Sequence, residues 1–389
     1  MVDWWGGQIA LWVLLALLAA CLAGPLKTSS ALVEVSLGAL AQWALIASGA
    51  GLLALGAPWL EFTTDLGILL LVFLAGCEAD LTPLRGKLRE GAVLGLLGFL
   101  APAMGTALVA HLFLGWSLVA SLLAGVALAA TSAATIYTVL LDRAARQSDW
   151  GRALLGACYL IDLSLLLALG LFFSPHGGRM LGCLTITGVA VLILPWLSLW
   201  WSRRWEGLPA TMESRLLLLC LLPLAALATW AGFDPALPAY LLGIALASQW
   251  KREHPVARDL RGFCLAFLAP CYFLRVGALV QPSAVAAQAL AIPLLAVVAL
   301  LARVLGTLPG ATVFRYPQRE VAVASLHLAG GLTFGTVAAL FGLRHGLVDL
   351  AQYSTVIVAL VLLALVPWCL AHLPMGRLPP PHGEEGPPS

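Results

Sequence analysis

Polar and charged residues fall in short clusters along the chain, separated by apolar runs. Many of these runs approach the length of about 20 residues that a helix needs to cross a bilayer. Runs centred near Leu15, Leu40, Leu71, Leu100, Leu128, Ser164, Val191, Leu222, Leu242, Leu268, Leu295, Gly331 and Leu360 predict about thirteen transmembrane helices. Pro and Gly interrupt several runs, which softens their boundaries.

The basic residues test that count. Lys and Arg total 21. Arg179 and Arg344 follow even-numbered runs, and Arg275 and Arg303 fall inside runs; all the others follow odd-numbered runs. Cytoplasmic loops carry the excess of Lys and Arg. The odd-numbered ends are therefore expected in the cytoplasm, with the N-terminus outside and the C-terminus inside. A miscount by one helix would scramble the asymmetry.

Composition narrows the function classes. Hydrophobic residues make up 61% of the 389 residues and charged ones only 10%, against about 25% charged in soluble domains. This excludes a soluble enzyme, a disordered protein and a nucleic-acid binder. The net charge of +2 points to no acidic polymer. Eight cysteines form no CxxC pair and read as small membrane-helix residues. The start, Met-Val-Asp-Trp-Trp, lacks a basic n-region, so the first run reads as a retained span. Residues 1–375 are expected to form one all-α integral membrane domain. Residues 376–389, rich in Pro, Gly and Glu, read as a disordered cytoplasmic tail.

The order of runs suggests two inverted six-helix repeats, at about 7–175 and 212–375, around a linker helix at about 181–201. The third and tenth runs both carry a Phe-Leu step followed shortly by Gly, in LVFLAGCEADL and CYFLRVGALV. The fifth and twelfth each contain a small, polar break: ATSAAT at Ala130–Thr135 and GGLTFGT at Gly330–Thr336. Such residues also serve close helix packing. Their matching places in the two halves favour unwound helices instead, with Gly330, Gly331 and Thr333 supplying backbone to a site.

Ionisable residues at membrane depth are costly and mark function. Asp162 lies ten residues past Arg152, about 15 Å along a helix and so near the midplane. Thr131 and Ser132 reach the same layer from the fifth run, and Arg303 reaches it from the eleventh. The competing reading is an Asp–Arg pair that only holds helices together, which would be weak evidence of stability. Arg275 sits slightly beyond the midplane, as a second counter-charge or a side chain snorkelling into a vestibule. His327 reads as a packed core histidine more than a proton relay, and His111 as interfacial. Glu34 faces a cavity or lies nearer the interface. Glu78 and Asp80 read as a solvated helix end more than as a funnel that attracts cations.

These segments together resemble the membrane domain of the monovalent cation:proton antiporter superfamily, the sodium or potassium/proton exchangers. The carriers are FLAGCEADLTPLR at Phe73–Arg85, ALAATSAATIYTVL at Ala127–Leu140 and LIDLSLLLALG at Leu160–Gly170. FDPALPAYLLGIALA at Phe233–Ala247, ARVLGTL at Ala302–Leu308 and GLTFGTVAALFGL at Gly331–Leu343 add to them. The resemblance implies crossing unwound helices. It also implies an ion-binding aspartate at Asp162, oxygen ligands at Thr131 and Ser132, and a supporting basic residue at Arg303. Helices four to six and eleven to thirteen would form a mobile core. The chain departs from the family pattern: Ile161 stands where a polar partner of the aspartate is usual, Leu332 replaces a glutamate, and Arg275 is an extra charge.

The expected function is exchange of Na+ or K+ for protons by alternating access, with a monovalent cation and a proton taking turns at Asp162. With Ile161 and Leu332 in place of titratable groups, exchange is expected to be electroneutral. The expected partners are these ions, the lipid bilayer of a plasma (bacterial inner) membrane and a second copy of the chain as a homodimer. No cofactor, enzymatic activity or nucleic acid is expected. The alternatives are an organic-anion transporter of the same fold, with Arg275 and Arg303 as its anion site, and a non-transporting membrane sensor or assembly subunit.

Overall fold

A computed structural model describes residues 5–48, 53–79, 86–142, 148–173, 178–204, 210–247, 249 and 254–372. Among them there is helix and no strand. The elements are α1 (Trp5–Leu26), α2 (Ser30–Ser48), α3 (Pro58–Glu78), α4 (Leu88–Leu114), α5 (Leu118–Leu128), α6 (Ala133–Asp142), α7 (Asp149–Phe172), α8 (Gly178–Arg204) and α9 (Ala210–Trp230). They continue with α10 (Ala236–Leu246), α11 (Pro255–Phe263), a π turn at Cys264–Leu268 leading into α12 (Ala269–Ala278), α13 (Pro282–Ala287) and α14 (Ala291–Val313). The last are α15 (Gln318–His327), α16 (Leu332–Arg344) and α17 (Leu350–His372). Asp80 and the tail at 376–389 lie outside the described residues.

Every expected run centre falls on a helix or at a break between two. Ten helical spans among the described residues are long and apolar enough to cross a membrane, or eleven if the bent pair α15 and α16 counts as one. The difference from about thirteen is α5, α6 and α10, each too short alone.

The chain divides into two compact units. Unit 1 is Met1–Thr82, Leu166–Ala287 and Leu340–Ile357; unit 2 is Pro83–Leu165, Gln288–Ala339 and Val358–Ser389. Unit 2 thus holds the fourth, fifth and eleventh runs of the sequence reading, most of the twelfth and parts of the sixth and thirteenth, whose remaining turns belong to unit 1.

In unit 1, α3 runs antiparallel to the α11–α12 span. Glu61 pairs with Arg275 at one end (3.2 Å) and Glu78 with Arg261 at the other (2.7 Å). Helix α12 also packs on α2, where Trp43 Nε1 donates to the Val280 carbonyl at 2.7 Å. Tyr353 of α17 donates its hydroxyl to the Val276 carbonyl at 2.9 Å.

In unit 2, α4 and α14 pack antiparallel, with Gly98 facing Thr307 and Gly310 facing Leu94. Small residues set this approach: a Cβ on Gly306 would lie 2.7 Å from the Leu97 carbonyl oxygen. Membrane helices lack a hydrophobic drive toward each other, so close van der Waals packing of small faces holds such a pair. Gly115, at φ +68°, ends α4, and the Ser117 hydroxyl caps α5 by accepting from the Ala120 amide. Ile136 and Leu140 of α6, Leu154 of α7 and Val321 of α15 share one apolar core. That core fixes the half-helices α6 and α15 beside α7.

Candidate functional site

The site lies in unit 2, where α5 stops and α6 begins. Residues Ala129–Ser132 are not helical, so the last carbonyls of α5 and the first amides of α6 need other partners. A helix C-terminus carries partial negative charge and an N-terminus partial positive charge. The chain answers each with the opposite sign. Arg303 of α14, 1% exposed, donates Nη2 to the Leu128 carbonyl at 3.3 Å and to the Ala130 carbonyl at 2.9 Å. Asp162 of α7, 3% exposed, accepts from the Thr131 hydroxyl at 3.0 Å and from the Thr131 amide.

The second break, Leu328–Gly331, joins α15 to α16 at a 53° bend. Gly330 has φ +86°, a left-handed conformation that glycine adopts freely. A Cβ on Gly331 would sit 2.2 Å from the Thr131 carbonyl oxygen and 2.4 Å from its nitrogen. The two breaks therefore touch backbone to backbone, and glycine at 331 permits it. Thr336, fully buried, donates to the carbonyls of Leu332 (2.6 Å) and Thr333 (3.0 Å) and ties the first turn of α16.

Of the residues named from sequence, Asp162, Thr131, Arg303, Gly330 and Gly331 are gathered at the paired breaks, and half-buried Thr333 follows on the first turn of α16. Ser132 is adjacent, but its hydroxyl is engaged as the N-cap of α6: it bonds the Thr135 hydroxyl at 2.7 Å and accepts from the Thr135 amide at 3.4 Å. Arg275 is elsewhere. It belongs to unit 1, donating to Thr64 Oγ1 at 2.9 Å and pairing with Glu61, and is not among the groups around Asp162. Glu78 stands at the exposed end of α3, where Arg261 pairs with it at 2.7 Å. His327 is buried, with Nδ1 2.8 Å from the Val323 carbonyl. His111 is exposed, with Nδ1 2.8 Å from the Trp116 carbonyl.

Sequence reading missed three residues. Thr307 stands one turn past Arg303, donates to its carbonyl at 3.1 Å and meets the buried Ser325 hydroxyl of α15 at 2.8 Å. The four-residue spacing from Arg303 was the available signal. Cys158 stands one turn before Asp162, fully buried, its thiol on the Leu154 carbonyl at 3.3 Å.

Asp162 takes part in no ion pair among the described residues. A buried carboxylate held by a hydroxyl and an amide, with a guanidinium nearby but not bound to it, can exchange a proton for a small cation. Hydroxyl and carbonyl oxygens beside it are hard ligands that replace water around such an ion. No group of three or more His, Cys, Asp and Glu among the described residues could hold a metal.

Comparison with known proteins extends this picture. Residues 13–372 match the family model described as sodium/hydrogen exchanger, transmembrane. A Na(+)/H(+) antiporter of Enterococcus hirae is 26% identical over 78% of this chain and 82% of its own. The Na(+)/H(+)-K(+) antiporter GerN of Bacillus cereus is 24% identical over 78% and 80%. The solved structure of the sodium proton antiporter MjNhaP1 from Methanocaldococcus jannaschii superposes with a TM-score of 0.68 at 18% identity, covering 94% of this chain and 96% of that one.

Proposed function

The chain belongs to the sodium/hydrogen exchanger family of transmembrane proteins, and from that premise we propose how its buried site works. The protein exchanges a monovalent cation, Na+ or K+, for protons. Asp162 is the group at which cation and proton take turns. The observation that carries this is a 3% exposed carboxylate, at a helix break, bonded to Thr131 and tied to no basic side chain among the described residues. Thr131, and Ser132 when it leaves its cap, supply oxygens to the ion. The backbone at Gly330, Gly331 and Thr333 closes the site from the second break. Arg303 holds the carbonyl end of α5. Arg275 steadies unit 1 rather than the ion.

Alternating access moves the unit that holds Asp162. Two inverted repeats account for the paired breaks, and the antiparallel packing of α4 on α14 and of α3 on α11–α12 supports them. The basic residues support an N-terminus outside and a C-terminus inside a plasma (bacterial inner) membrane. A homodimer completes the proposal; light scattering in detergent measures it.

Against the anion reading, Arg303 Nη2 donates to two carbonyls and Arg275 to Thr64 and Glu61, although Nη1 of Arg303 is buried without a hydrogen-bond partner among the described residues. The deciding experiment is dequenching of a pH dye in proteoliposomes, titrated with each alkali cation. Exchange gives cation-dependent proton movement with Na+ or K+. No proton movement with any alkali cation sinks the proposal and leaves the sensor reading.

A further inference from the structure

All three acidic residues of α3 have an arginine: Glu61 has Arg275, Asp65 has Arg344 and Glu78 has Arg261. Glu34, the acidic residue of α2, is arranged differently. It is 4% exposed and makes no hydrogen bond or ion pair among the described residues.

Its surroundings explain why no cation reaches it. Helices α2 and α12 meet backbone to backbone: a Cβ on Gly38 would lie 2.1 Å from the Leu274 carbonyl oxygen, and one on Gly277 would lie 1.9 Å from that of Val35. The titratable neighbour from α12 is the Cys271 thiol, and α1, packed on α2, carries no charged residue. Arg275, one turn past Cys271, is engaged by Thr64 and Glu61. A bare carboxylate in such a seam is costly, and the nearby Arg275 is committed.

We propose that Glu34 is a second acid site, a carboxyl that keeps a resident proton in the seam of α2 and α12 and reacts with apolar carbodiimides. The proton stays through the transport cycle and is separate from the one exchanged at Asp162. The chemistry follows from the neutral acid. Its O–H proton passes to one carbodiimide nitrogen while the carboxyl oxygen bonds the central carbon. The acyl group then migrates to nitrogen and leaves a stable N-acylurea. Nothing is oxidised and nothing leaves.

The test uses the full chain carrying Asp162→Asn, reacted with dicyclohexylcarbodiimide or with a water-soluble cationic carbodiimide, followed by peptide mass spectrometry. The apolar reagent should modify Glu34 and the soluble one should not. Unmodified Glu34 with the apolar reagent, or equal modification by both, overturns the proposal. Peptide mapping assigns the label without any change at position 34. Glu34→Gln adds a second readout in the wild-type background: exchange at the wild-type rate supports a resident proton. Loss of exchange with unchanged melting overturns it. Exchange persisting in Asp162→Asn would sink the Asp162 reading without touching this one.

Discussion

In the proposed mechanism Asp162 and Arg303 divide the work at the break, and each predicts a distinct mutant. Asp162→Asn keeps the shape and the bond to Thr131 but cannot bind a cation by charge or release a proton. It should elute normally in detergent and give no cation-induced proton movement; wild-type activity would remove Asp162 from the mechanism. Arg303→Ala leaves the Leu128 and Ala130 carbonyls without their donor. A buried unpaired polar group costs about 1–3 kcal/mol, so this variant should melt earlier and exchange more slowly. Arg303→Lys should retain more of both, though an ammonium lacks the planar fork. Normal melting and full-rate exchange in the Ala variant would refute the role. Asp162 was legible because a charge in an apolar run stands out. The Arg303 contacts were not, since the carbonyls it meets have no signature in side-chain identity. Nor could sequence tell Ser132 as cap from Ser132 as ligand, because that depends on which way the break turns. Sequence depth put Arg275 only slightly beyond the layer of Arg303, and tertiary packing separates their roles.

At the scale of elements, the two breaks act as one object through Gly331 and Thr131. Gly331→Ala places a methyl 2.2 Å from the Thr131 carbonyl oxygen. Overpacking of this kind costs about 1–3 kcal/mol, and the displaced Thr131 would lose its hold on Asp162. Exchange should fall about tenfold or more, as each 1.4 kcal/mol is a factor of ten; an unchanged rate would show that the breaks do not need this contact. Helices α7 and α16 also carry a prediction about stoichiometry. Ile161, next to Asp162 in the chain, and Leu332, at the start of α16, carry no titratable group, so one cation should move against one proton. A transmembrane potential is worth about 2.3 kcal/mol per charge per 100 mV, but only for net charge moved. An imposed potassium–valinomycin potential should therefore leave sodium/proton exchange unaffected, and a reversal potential fitting two protons per cation would overturn this. The breaks were readable because small polar residues interrupt apolar runs. The lengths of α5, α6 and α10 were not, since where a helix unwinds depends on the partners waiting for its freed backbone.

For the whole molecule, the charge asymmetry gives a prediction about sidedness. Arg315 follows an odd-numbered run and Arg179 an even one. In a background without exposed Cys21 and Cys369, Arg179→Cys should react with an impermeant maleimide in right-side-out vesicles. Arg315→Cys should react only in inverted ones. The reverse pattern would invert the orientation. The helical membrane class was legible because composition alone forbids a soluble surface. The division into two units was not written in hydropathy, since both contain spans apolar enough to cross a membrane. Small residues let helices pack closely within each unit, α2 with α12 in unit 1 and α4 with α14 in unit 2.

Arg303 has a consequence for speed. In the proposed mechanism, the guanidinium buried at the carbonyl end of the break, without an ion pair to Asp162, would repel an arriving cation. Such a site would be a shallow well rather than a trap. Its occupant would stay briefly, as release of cargo on every turn requires.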